Sequence, residues 1–224
     1  MDQTLTDEGV MTVAGRKSQV RKALLLAVGC WLMAARSLAA QDAPYTPHGF
    51  LSTRYDTHTS SNMFFGYTMG PVTPMIALVS NPRTTYREHI VGVVRFETFN
   101  PHLGLTWAVA GAKAIDSWYG QLYVLPSVSV GKLHYDATFE LYVPLQEAGV
   151  HQFGMNPGNL MYDVTPKVAL GAVGVWASQS NAPHNFGGGP SVRFKVPRGT
   201  ISLDGVLGVT RWDSEWRVTF FTTY

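Results

Sequence analysis

The ionisable residues that could do chemistry alternate with apolar ones: His134, Asp136 and Glu140 in one run, Arg193 and Lys195 in a second, Asp204 in a third and Arg217 in the last. Residues two apart share one face of an extended strand. Acids and bases spaced this way inside a closed sheet pair with one another, and the chemistry they suggest first is a salt-bridged plug in a narrow lumen. Metal chemistry finds no motif. The seven histidines, at 48, 58, 89, 102, 134, 151 and 184, are scattered and form no HExxH pair. No glycine-rich loop leads into a helix and there is no GxSxG elbow, so no cofactor is expected. The run Gly187, Gly188, Gly189 precedes a strand and reads as a flexible loop. Asp116-Ser117-Trp118 reads as turn chemistry, with Asp and Ser bonding the backbone and the tryptophan in an interfacial belt.

The elements that must position these groups are strands. From Gly49 onward there is no helical period, only alternating runs bounded by Gly, Pro, Asn and Asp. In the clearest hairpin, Leu122, Val124, Pro126, Val128 and Val130 share one face, a turn falls at Gly131 and Lys132, and Leu133, Tyr135, Ala137, Phe139, Leu141 and Val143 continue the apolar face. Gln121, Ser127, Ser129, His134, Asp136, Thr138, Glu140 and Tyr142 take the other. Strands of about ten residues with one apolar face are long enough to cross a bilayer at a tilt, whereas soluble strands more often run about five or six. Further strands are expected near Gly49–Asp56, Asn62–Met69, Met75–Ser80, His89–Phe99, Leu103–Ala114, Tyr162–Ala177, Ser191–Val196 and Thr200–Thr210. Loops are expected over Gln146–Asn159 and Ser178–Gly189, and Pro166, which lacks a ladder amide, divides Tyr162–Ala177 so that the count is even. The fold class is all-β: an antiparallel up-and-down transmembrane β-barrel of 8 to 12 strands.

Residues 1–39 read as a signal peptide. A basic cluster at Arg16, Lys17, Arg21 and Lys22 precedes an apolar run from Ala23 to Ala35 and then small residues, with cleavage after Ala39. The run is too short for a helix across a ~30 Å hydrocarbon core, and Met11 is the better start of such a leader. Residues 40–224 then form one barrel domain. The only cysteine, Cys30, lies in the leader, so the mature chain holds no disulfide. The leader takes five of the 17 basic and three of the 15 acidic residues, leaving twelve of each sign. Such a balance argues against nucleic acid as a partner, since phosphate binding needs a surplus of Lys and Arg.

Two resemblances extend this reading. Trp216, Val218, Phe220, Thr222 and Tyr224 share a face, and a chain that ends on an aromatic residue of an alternating strand resembles the terminal signal of outer-membrane barrel proteins. The segments Pro101-His102-Leu103-Gly104-Leu105, Asp116-Ser117-Trp118, Leu125-Pro126, Ser129-Val130-Gly131 and Tyr142-Val143-Pro144 together resemble a stretch of the lipid A palmitoyltransferase (PagP) family. The resemblance implies an eight-stranded outer-membrane barrel that moves a palmitoyl chain from phospholipid to lipid A. It also implies catalytic roles for Asp116 and Ser117, with His58 as the histidine of the loop after the first strand. An imidazole could then act as base, a carboxylate orient it and a hydroxyl stabilise the oxyanion.

The expected protein is a small barrel of the outer membrane with a polar, plugged lumen and a structural or lipid-interacting role. Its partners would be outer-membrane lipids, lipopolysaccharide among them. Two alternatives stand beside it: a lipid A acyltransferase and a secreted soluble barrel that binds an apolar ligand. Oligomeric state stays open.

Overall fold

The computed structural model describes residues 49–100, 102–115, 117–146, 149–210 and 213–224. The expected leader and Asp116 lie outside them. Twelve strands follow in chain order: β1 (Gly49–Asp56), β2 (Ser61–Tyr67), β3 (Thr73–Asn81), β4 (Tyr86–Asn100), β5 (Leu103–Ala114), β6 (Ser117–Val130), β7 (Leu133–Pro144), β8 (Gln152–Thr165), β9 (Val168–Gln179), β10 (Ala182–Val196), β11 (Gly199–Gly208) and β12 (Glu215–Thr223). Each pairs antiparallel with its sequence neighbour, and β1 pairs β12 from Phe50↔Thr223 to Asp56↔Arg217, which closes the barrel. Closure leaves no sheet edge, the condition for a β-structure in hydrocarbon. The start of β1 meets the C-terminal residue at one end, where Gly49 N–H donates to the Tyr224 carbonyl at 2.8 Å.

The count sits at the top of the expected range and differs from the eight strands implied by the palmitoyltransferase resemblance. Pro166 lies in a two-residue turn between β8 and β9, as its missing amide requires. Both expected long loops are largely strand instead: β8 starts at Gln152, and β9 and β10 are separated only by residues 180–181. The three glycines read as a loop lie inside β10. Gly188 pairs with Gly174, and a Cβ on Gly189 would sit 2.1 Å from the Gly205 carbonyl oxygen, so a bare backbone is what lets β9, β10 and β11 run close together.

Four of the five turns at the terminal end have two residues, and Gly131 takes φ 60° in one of them. Connections at the other end reach six and seven residues, at 209–214 and 145–151. Short turns mark the periplasmic end of such barrels and longer loops the outside. Facing outward are Ile76, Val91, Leu160, Leu170, Leu203 and Val218, all exposed. Aromatic residues edge this band at both ends, Tyr55, Trp118, Phe153, Phe186 and Trp216 above, Tyr67, Phe99, Tyr162, Phe194 and Tyr224 below. An apolar belt between aromatic girdles matches a bilayer and its two interfaces.

Candidate functional site: a divided lumen

The inward faces of the two halves differ. Phe50, Met75, Ala77, Ile90, Val94, Ala108, Ala110, Ala112 and Tyr123, all on β1 to β6, form one buried apolar cluster, with Phe64, Leu125 and Phe221 packed against it. Phe64 of β2 meets Tyr123 of β6 edge to face at 6.4 Å, so rings from strands four apart touch inside the barrel. The polar lumen expected from the sequence is therefore corrected in part: the inward face of β1 to β6 is largely apolar, broken by Arg54, Glu88 and Gln121, whereas ionisable residues concentrate on β7 to β12 beside the smaller apolar cluster of Val173, Val175 and Val206. In β3 and β5 both faces are apolar, which removes the alternation that would have marked an inner side.

Across the polar half, paired residues span the lumen. Asn156 sits at a register break in β8, between Met155 and Gly158 in the pairing with β9 and beside Pro157, which has no amide to give. It borders both lumen chambers described below. Arg217 of β12, four strands away, donates Nη1 to Asn156 Oδ1 at 2.7 Å and Nε and Nη2 to Glu215 Oε1 at 2.8 and 2.5 Å. Arg54 of β1 donates Nη1 to the same Asn156 oxygen at 3.4 Å. On the facing side Tyr142 donates to Glu140 at 2.9 Å, Tyr123 donates to Gln121 at 2.6 Å, and the Gln121 amide donates to Glu88.

Two chambers adjoin these groups, and Glu88, Tyr142, Glu215 and Arg217 border only the outer of them. The outer one, about 950 Å³, is lined by loop-end residues such as Asp56, His58, Ser117 and Asp213. The inner one, about 500 Å³, reaches Phe50, Phe96, Asp136, Arg193 and Asp204. Arg54, Asn62, Phe64, Tyr123, Glu140 and Asn156 border both. Among the described lining residues, the carboxylates of Asp56, Glu88, Asp136, Glu140, Asp204, Asp213 and Glu215 face only three guanidinium groups, Arg54, Arg193 and Arg217. The lining of these chambers thus carries a formal negative excess although the whole sequence is slightly basic, with 17 basic and 15 acidic residues.

Arg193 grips Asp136 with two bonds, at 2.7 and 3.1 Å, from β10 to β7. Near the periplasmic mouth, Asp163 Oδ2 meets His134 Nε2 at 2.8 Å and Lys195 Nζ at 2.6 Å, while His134 Nδ1 lies 2.9 Å from Ser129 Oγ. Ser, His and Asp stand in line as in a nucleophile relay. However, the Asp163 oxygen is shared with an ammonium, and the Ser129 N–H is already given to the His102 carbonyl at 2.8 Å, so it is no oxyanion donor. The arrangement reads as an ion-pair network.

The residues named by the palmitoyltransferase resemblance fall elsewhere. His58, in the β1–β2 loop, places Nε2 3.1 Å from the Ser214 carbonyl oxygen, and Ser117, heading β6, accepts from Gln146 Nε2 at 3.0 Å. Both border the outer chamber, but four or more strands separate them round the ring, and no hydrogen bond joins them among the described residues. Sequence reasoning missed Arg54, Glu88, Asn156, Asp163 and Glu215. Alternation with Ser52 and Asp56 could have found Arg54, while Asn156 was hidden in an expected loop.

No protein-family model matches the chain, and no curated protein matches it. Among solved structures, the KdgM porin in complex with disordered oligogalacturonate is similar over 79% of this chain and 98% of its own at 8% identity and TM-score 0.53. The NanC porin is similar over 79% and 98% at 11% identity and TM-score 0.50. Neither is a lipid A palmitoyltransferase. At such identities the likeness speaks for the fold, and the lipid-facing band speaks for the bilayer. The chain is a β-barrel of the outer-membrane type, porin-like in fold.

Proposed function

We propose that this small outer-membrane barrel is a narrow, cation-preferring conduit whose lumen is barred at mid-height by polar side chains. One observation carries the reading: Arg217 and Arg54 reach across from β12 and β1 to Asn156 of β8, leaving a chamber on either side. The bar is made of hydrogen-bonded side chains rather than backbone, so a small solute can pass by exchanging those bonds, while bulky ones are held back. The excess of lining carboxylates favours cations by Coulomb attraction focused between low-dielectric walls. Acyl transfer is less well supported, since His58 and Ser117 are bonded to separate partners.

Single-channel recording in planar bilayers tests this. The protein is expected to give small conductance steps with cations carrying most of the current, and Asn156→Ala to enlarge the steps severalfold without loss of heat-modifiable mobility. Large steps in the unaltered protein, or steps that Asn156→Ala leaves unchanged, would sink the proposal.

A further inference from the structure

The inner chamber has two unlike walls. One is apolar, presenting Phe50, Phe96, Leu125 and Phe221. The other carries Asp136, Glu140, Asn159, Arg193 and Asp204. Two guanidinium groups border the chamber and both are engaged, since Arg193 gives both terminal nitrogens to Asp136 and Nε to Ser202 at 3.2 Å, and Arg54 gives Nη1 to Asn156 at 3.4 Å. Asp204, 3% exposed, accepts a hydrogen bond from Ser191 at 2.6 Å, and Glu140 accepts one from Tyr142; among the described residues neither is in direct salt-bridge contact, although Arg193 attracts Asp204 and Arg54 attracts Glu140 from farther off. Asn159, 5% exposed, gives its amide hydrogen to Asp136 at 3.0 Å, and its Oδ1 has no hydrogen-bond partner. Three carboxylates against two guanidinium groups, with one unbonded amide oxygen, beside apolar surface leave a defined gap: positive charge and N–H donors on one side of a solute, hydrocarbon on the other.

We infer that the inner chamber is a binding site for small amphipathic cations, amines bearing an aromatic or aliphatic body, held with the ammonium toward Asp204 and Glu140 and the body against Phe96 and Phe221. A volume of about 500 Å³ lies within the range of sites for small organic molecules. The inference rests on the proposed conduit for access, since the chamber is reached from outside past Glu140, but not for its chemistry.

Titration calorimetry on the full barrel in detergent micelles tests it, with phenethylammonium as probe and phenylacetate as the anion of matched shape. Phenethylammonium is expected to bind at least tenfold tighter than phenylacetate. Asp204→Asn should weaken it at least fivefold, and Phe96→Ser should do so too while keeping the preference for the cation. Phe96 lies at the open end of the chamber and is half exposed, so its replacement leaves the fold in place. Equal affinity for the two probes, binding that neither substitution alters, or no binding overturns the site. Conductance is measured separately: cation current without binding removes the site and leaves the conduit, whereas binding without current removes the conduit and leaves the site.

Discussion

The inner wall of β1 to β6 and that of β7 to β12 solve the same problem by different physics. On the first, Ile90, Val94 and the alanines of β5 pack as a protein core would, so part of this lumen is filled by hydrophobic contact. On the second, Asp136, Asp163, Arg193, Lys195 and Arg217 fill space with directed bonds that need partners in place. A packed apolar wall gains stability from area and holds an ionisable group only where a partner is in place, as Gln121 is for Glu88, whereas a polar wall gains little per pair. One side holds the barrel, and the other gives its interior a chemical character.

The sharpest way to break this contrast is to put a charge on the packed wall. Ile90→Asp, at a side chain 1% exposed, should cost on the order of 3–5 kcal/mol as an uncompensated buried charge and abolish the heat-modifiable band after refolding into vesicles. Next comes the lipid face: Leu203→Arg, outward on β11, should cost about 2–4 kcal/mol if it lies near the midplane, seen as a lower urea midpoint of tryptophan fluorescence in vesicles. On the polar wall Arg193→Ala is expected to cost only about 1–2 kcal/mol in the same titration, because Asp136 is partly exposed and keeps its bond from Asn159. A cost equal to that of Ile90→Asp would erase the distinction between the walls. Ser202→Ala, which removes only the acceptor for Arg193 Nε, should fall at about 0.5–1 kcal/mol, the smallest of the four.

Much of the fold was legible because lipid outside and side chains inside impose a period of two. The bounds of β1 and β5 match the sequence reading residue for residue, and the turn at Gly131 and Lys132 lies where it was expected. Legibility failed where that period lapses. At Ala182–Gly189 a proline and three consecutive glycines conceal a strand, and at Asn156 and Pro157 a register break hides one inside an apparent loop. The inward set His134, Asp136, Glu140, Arg193, Lys195, Asp204 and Arg217 was readable, since each alternates with a lipid-facing neighbour, but its partners were not. Asp136 finds Arg193 three strands away and Arg217 finds Asn156 four strands away, distances in sequence that no local pattern encodes.

The sequence alone determined the class of the protein: a strand's alternation is a local consequence of which face meets lipid, and it is written residue by residue. Only the tertiary structure decided how many strands close the ring, which walls then face each other, and that a largely apolar wall opposes an acidic one across the lumen. Closure is a property of the whole sheet, and contacts across it join residues brought near only after every register has been set.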